Sequence, residues 1–162
     1  MKDTEQLLAQ FEKYQGVLEK VIGPEPAKDI CETLGERLLM CPRGLTEDTG
    51  GHPGELISFS LAVASVAKSL SSTFGNPKSL VKVSLLHELG KIGGLEPEED
   101  LYLIQDSEWH RDKLGQVYKY NDKCPKMNIA HRTLWILSHF GVSLSREAVS
   151  YTHLTLPTIY SV

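Results

Sequence analysis

The strongest chemical signal in the chain is a histidine followed directly by a glutamate, His87-Glu88, after a strongly apolar stretch. Lys91 follows His87 at the i+4 position, which puts both side chains on one face of a helix, and a glycine-rich stretch comes next. Charged groups in apolar surroundings are rare unless they are paired or bind a metal. The apolar residues upstream therefore favour a buried site. The alternative is an exposed helix end, where His and Lys would complement the helix dipole.

The elements that would position these residues are predicted to be helices, because apolar residues recur at three- and four-residue steps. Residues 41–54 are rich in glycine and proline and are predicted to be a loop. Ser143 is a candidate N-cap for one more helix, whose pattern is lost after Ala148. The predicted helices cover 3–22, 27–40, 55–74, 78–91, 107–114 and 129–140, with an extended piece at 116–120.

Composition limits the class of protein. The chain has 162 residues, 41% of them hydrophobic, and a formal net charge of −4, which fits one globular domain and gives no strong nucleic-acid signal. Charges interrupt each long apolar run, so we expect no membrane span and a cytoplasmic location. No phosphate-binding GxxxxGK[ST] loop, GxGxxG turn or zinc-finger pairing of the three cysteines is present. These absences weigh against P-loop, Rossmann and zinc-ribbon proteins.

Around the His-Glu pair, LLHELGKIG resembles the hHDhGKhG core of the HD phosphohydrolase superfamily, where h is an apolar residue. Upstream, GGHPGELISFSLAVA resembles a second segment of that family. Downstream, WHRDKLGQVYKYN and HRTLWILSHFGVSLSRE resemble small members encoded by phages. The resemblance covers about residues 40–148. It implies an all-α fold, a compact HD-like bundle of about five to six helices over residues 1–148, and a cytoplasmic protein of a bacterial or phage-infected cell.

The resemblance also implies a divalent metal site, from which this chain departs. Phe59 stands where the family places its first histidine, and Glu88 stands in place of an aspartate. The family's last aspartate would lie beyond residue 148. The implied ligands are His87 and Glu88, with His131 as an additional candidate whose alternative is a capping or core role. Whether any metal binds, and which one, stays open.

Two functions follow from this resemblance. The first is a metal-dependent phosphohydrolase acting on a nucleotide or another phosphoester. In it Glu88 and Lys91 would be catalytic, because a metal activates water and a cation stabilises developing negative charge. The second is a degenerate domain that binds a nucleotide or a protein partner without hydrolysis. The residues implied for binding a phosphorylated substrate are Arg111, Lys119 and Arg132, although each is also compatible with an ordinary surface charge.

The last part of the chain differs from the rest. Residues 149–162 read VSYTHLTLPTIYSV and lose the helical period. This segment resembles translated adapter read-through at the ends of genes assembled from environmental sequencing, so we interpret it as a non-native tail. A natural C-terminal strand or disordered tail is the alternative. An oligomer, in which the chain is a helical subunit of a larger assembly, is compatible with the sequence.

Overall fold

The computed structural model describes residues 2–74 and 76–150. Helix α1 spans Thr4–Ile22 and begins with a capping box, in which Asp3 accepts a hydrogen bond from the Gln6 amide at 2.8 Å. Gly23, with φ 93°, separates it from helix α2, Pro24–Met40. The predicted start of α2 at residue 27 was wrong by one turn. Proline is favoured in the first turn of a helix, where the amide hydrogen that it lacks would have no helical partner.

Helix α3 spans Glu55–Phe74, as predicted. Helix α4 spans Pro77–Leu86 and is capped by Asn76, whose side chain accepts from the Ser79 amide at 3.3 Å. The predicted extension of α4 to residue 91 was wrong. The apolar pattern does continue past Leu86, but the backbone tightens there into a short 3₁₀ helix, Leu89–Ile92.

The segment between α4 and the last long helix carries a small antiparallel sheet. Strand β1, Tyr102–Ile104, pairs with strand β2, Tyr118–Tyr120, with Leu103 opposite Lys119. Helix α5, Glu108–Leu114, lies between them in sequence. The extended piece predicted at 116–120 contains β2, whereas β1 was not predicted. Two more 3₁₀ helices occur, Glu47–Thr49 in the predicted loop and Pro97–Glu99 before β1.

Helix α6 spans Ile129–His139 and packs on the 3₁₀ helix that follows α4. Residues 146–150 are helical again. The Ser145 hydroxyl accepts from the Ala148 amide at 3.1 Å, so Ser145 caps this segment and the predicted cap, Ser143, was wrong. Most of the segment interpreted as a non-native tail lies outside the described residues.

A single apolar core joins five of these helices. Leu18 and Ile30 are completely buried on α1 and α2, and Ile136 is completely buried on α6. Leu56 of α3 and Leu86 of α4 meet them in the same cluster. The all-α class is therefore confirmed. Glu55–Thr73 of α3 is long and apolar enough to cross a membrane by length and composition, but this is weak evidence, because core helices of soluble proteins meet the same criterion.

Candidate functional site

The turn after α4 places His87, Glu88 and Lys91 inside the protein. Their exposed fractions are 4%, 0% and 3%. The chain leaves α4 at Leu86 and turns into the 3₁₀ helix Leu89–Ile92, which directs these side chains inward instead of along a helix surface. The buried setting predicted for the His-Glu pair is confirmed. The alternative, in which His87 and Lys91 lie at an exposed helix end, is wrong.

Both carboxylate oxygens of Glu88 contact cations. The Arg43 guanidinium donates from Nε to Oε2 at 2.9 Å and from Nη2 to Oε1 at 3.4 Å. The Lys91 ammonium lies 3.3 Å from Oε1. Because a buried carboxylate is costly unless it is paired and hydrogen-bonded, these two cations explain how Glu88 can be charged with no exposed surface.

Phe59 holds Arg43 in this position. The guanidinium carbon lies 3.5 Å from the centroid of the Phe59 ring, within the range of a cation–π contact. The Arg43 carbonyl oxygen accepts hydrogen bonds from the Lys91 ammonium at 2.9 Å and the Tyr102 hydroxyl at 3.1 Å. Arg43 is thus fixed through both its side chain and its backbone. We name Arg43, Phe59, Glu88 and Lys91 the ion-pair cluster.

Sequence reasoning missed Arg43. It lies in the glycine- and proline-rich loop 41–54, and its partner Glu88 is 45 residues away. Neither helical periodicity nor a local motif marks such a residue. The one available signal was chemical: a buried glutamate beside a single lysine needs further positive or hydrogen-bonding partners.

His87 lies beside the ion-pair cluster, with its ring centroid 6.2 Å from that of Phe59. Its Nδ1 lies 2.9 Å from the Ser84 carbonyl oxygen. Burial lowers the pKa of His87; the charge of Glu88 and the bond to Ser84 oppose the shift, and Lys91 adds to it. The imidazole is therefore favoured in its neutral form. Since the carbonyl can only accept, Nδ1 carries the proton and Nε2 the lone pair.

Helix α6 closes the other side of this turn. The Thr133 hydroxyl accepts from the Gly90 amide at 2.9 Å and contacts the His87 carbonyl oxygen at 3.2 Å. A Cβ atom on Gly90 would lie 2.4 Å from the Ile129 carbonyl oxygen, so glycine is needed for this close approach. Arg132 is buried and donates to the carbonyls of Gly90 at 3.2 Å and Pro125 at 2.6 Å.

The other predicted site residues lie outside the ion-pair cluster. His131 is exposed, on the side of α6 opposite Thr133, because residues two apart in a helix point about 200° apart. Arg111 is exposed on α5 and donates to the Gln105 carbonyl at 2.7 Å. Lys119 of β2 pairs with Asp106 at 2.8 Å. The structure therefore brings His87, Glu88 and Lys91 together without His131.

A cavity of about 200 Å³ is lined in part by Tyr102, whose hydroxyl donates to the Arg43 carbonyl. Arg37 and Asp100 line it and form an ion pair, and Arg37 also donates to the Leu95 carbonyl at 2.8 Å. Cys41 also lines it, and burial raises the pKa of this thiol well above its usual range. The cavity is smaller than the ~300–1,000 Å³ usual for small-molecule sites.

Comparison with known proteins adds no assignment: this chain matches no family model, no curated protein and no solved structure.

The side chains around the His-Glu pair are not arranged as a divalent metal site. Within the part of the chain that the structure describes, no three His, Cys, Asp or Glu side chains are grouped so as to hold an ion. The chemistry of the donors gives the reason. Both Glu88 oxygens are used by cations, and a metal placed there would be repelled by Arg43 and Lys91. His87 would be the remaining donor of the implied set.

Proposed function

We propose that this chain is a non-catalytic HD-like helical domain that acts by binding, with Arg43 in the position that a metal ion would need. The observation that carries the proposal is the Glu88 carboxylate, which is fully buried and contacts Arg43 and Lys91 through both oxygens. A guanidinium supplies positive charge and directional hydrogen bonds. It supplies no Lewis acid and no activated water.

The departures from the HD pattern support one another in this proposal. Phe59, in place of a histidine, provides the ring on which Arg43 stacks. Glu88, in place of an aspartate, has one more methylene, and its carboxylate reaches two cations. A metal at this place would first have to displace Arg43, which would leave a guanidinium without its partner. The metal would therefore have to replace both the charge and the hydrogen bonds that Arg43 supplies to Glu88.

The phosphohydrolase interpretation stays a second candidate because of one observation at His87. Burial lowers its pKa and favours the neutral imidazole, which is the form that a metal requires. This candidate needs Arg43 to move away from Glu88. The two proposals therefore differ in a measurable property, which is the affinity of the unmodified chain for divalent metals.

The test is to rebuild the donors that the HD pattern expects. We expect the triple variant Arg43→Ala, Phe59→His, Glu88→Asp to bind Mn²⁺ or Zn²⁺ in equilibrium dialysis, whereas the parent chain binds neither. Adding His87→Ala to the triple variant is the matched control and should abolish uptake. Circular dichroism establishes that each variant is folded. Uptake of one equivalent by the parent, lost on His87→Ala, would overturn the proposal.

A further inference from the structure

A groove of about 430 Å³ lies between helices α1, α3 and α4. Its floor is aliphatic: it is formed by Val17, Val21, Leu61, Ala64 and Val81. Its rim is basic: it carries Lys13, Lys20, Lys68 and Lys78. Ser65 and Pro77 complete the lining. This groove shares no lining residue with the ion-pair cluster.

The charge of this groove is opposite to that of the whole chain. The net charge is −4, yet the lining holds four lysines and no carboxylate. Within residues 2–74 and 76–150, none of the four lysines forms an ion pair with an acidic side chain. Glu12 and Glu19 directly precede Lys13 and Lys20, and are therefore about 100° away around α1. Among the described residues, the rim therefore consists of lysines that are not in ion pairs with carboxylates.

A neighbouring lysine, Lys82, lies close to one lysine of the rim. Lys82 follows Lys78 by one turn of α4, and its pKa is lowered by burial and by the charge of Lys78. Its ammonium donates to the Ser143 carbonyl at 2.8 Å, which holds it in place. Positive charges that repel one another around an apolar floor favour an anionic occupant.

The shape and chemistry of the groove select among anionic occupants. Lys13 and Lys20 are seven residues apart, or about 10.5 Å along α1, and Lys68 and Lys78 come from two other helices. One carboxylate or phosphate group cannot reach all four. The lining has no aromatic or amide side chain to recognise a nucleotide base. A flat membrane surface would meet the exposed lysines before the recessed floor, where Ala64 is 5% exposed.

We propose that this groove docks an acidic amphipathic helix of a partner protein. The apolar side chains of that helix would cover the aliphatic floor, and carboxylates on both sides would meet the four lysines. This is the helix-in-groove mode, in which apolar anchors provide affinity and flanking charges fix orientation. The proposal does not depend on whether the His87–Glu88 site is catalytic.

A second copy of this chain is a less suitable occupant. Helix α2 does expose an acidic stripe, formed by Glu25, Asp29, Glu32 and Glu36. Glu25, Asp29 and Glu32 recur at helical spacing on one face, whereas Glu36 follows a kink in α2 at Gly35, where φ is 38°. However, the stripe has no row of apolar side chains beside it to fill the floor, since its neighbours Lys28 and Thr33 are polar.

The test uses the full chain and a fluorescein-labelled synthetic helix with leucines on one face and glutamates on both sides of them. A peptide of the same composition in scrambled order is the control probe. We expect anisotropy to show binding of the amphipathic peptide only, with an affinity that falls as salt is raised. Equal binding of the scrambled peptide would reduce the effect to net charge and overturn the proposal.

Variants locate the binding. Lys68→Glu reverses a rim charge, and Ser65→Tyr fills the groove from an exposed position. Each should weaken binding by at least about tenfold. The matched controls are Lys28→Glu on α2 and Val66→Tyr, about 100° around α3 from Ser65, both exposed and outside the groove; they should leave binding unchanged. Three outcomes would overturn the proposal: no binding of the amphipathic peptide, tighter binding to vesicles containing phosphatidylserine, or dimerisation that Glu32→Lys abolishes.

Discussion

At the scale of single residues, the buried carboxylate of Glu88 depends on its contacts with Arg43 and Lys91. A carboxylate with no exposed surface is stable as an anion only while its cations stay in place. Two of the four members of the ion-pair cluster, Arg43 and Phe59, come from the loop and the helix that precede α4. The cluster therefore ties distant parts of the chain together.

Removing one of the two cations should make the protein less stable to unfolding. We expect Arg43→Met to lower the free energy of unfolding in urea by about 3–5 kcal/mol, because Glu88 loses the hydrogen bonds to both oxygens. The control Lys28→Met breaks an exposed pair at 3.9 Å and should change stability by less than about 0.5 kcal/mol. Arg43→Met with Glu88→Leu should recover part of the loss. Equal, small effects of Arg43→Met and Lys28→Met would show that the cluster does not stabilise the fold.

His87 should make stability depend on pH. Its pKa in the fold is lowered, chiefly by burial, from the ordinary value of 6.5. The unfolded chain therefore binds the proton more readily, so stability is fully present above about pH 6.5 and is lost as pH falls below it. The groups facing the ring that also act on it are Glu88, Lys91 and Arg43.

Urea unfolding between pH 5 and pH 8 measures this effect. We expect His87→Gln to lose less stability than the parent chain as pH falls, because glutamine binds no proton. His139→Gln, at an exposed position of α6, serves as the control and should follow the parent. Parallel curves for the parent and His87→Gln would contradict a buried neutral histidine.

At the scale of elements, helix α6 contacts the turn after α4 so closely that only glycine fits at residue 90. We expect Gly90→Ala to lower the free energy of unfolding in urea by about 1–3 kcal/mol. The reason is that its Cβ would lie 2.4 Å from the Ile129 carbonyl oxygen and 2.9 Å from the Thr133 amide nitrogen. Gly16→Ala in α1 meets nothing within 4 Å and removes a glycine from a helix interior, so it should stabilise by about 0.5–1 kcal/mol. The same sign for both substitutions would contradict the close packing of α6.

The elements show where sequence patterns were sufficient. Helix α3 matches its predicted bounds because one long apolar stripe lies between a glycine-rich loop and the Gly75-Asn76-Pro77 break. Helix α4 was predicted too long, since an apolar run does not distinguish an α-helix from the 3₁₀ turn that follows it. Strand β1 was missed because three residues are too few to show a period of two. Its partner strand is also distant in sequence, since Leu103 pairs with Lys119.

At the scale of the whole molecule, the sequence predicted the all-α class and the buried setting of the His-Glu pair, but not what surrounds that pair. Helical periodicity is a local property and could be predicted. The contact of Arg43 with Phe59 and Glu88 depends on tertiary folding, and it is the basis of our proposal that ion pairing replaces metal ligation there. The lysine groove was likewise hidden, because its four charges come from three helices.

Metal content of the unmodified protein tests the central claim most directly. Elemental mass spectrometry of the purified chain, followed by titration with Mn²⁺ and Zn²⁺, should find no stoichiometric metal and no uptake that depends on His87. The reason is that Arg43 and Lys91 already neutralise Glu88. One equivalent of metal that is lost on His87→Ala would instead show that the His-Glu pair is a working metal site, and the ion-pair account would be wrong.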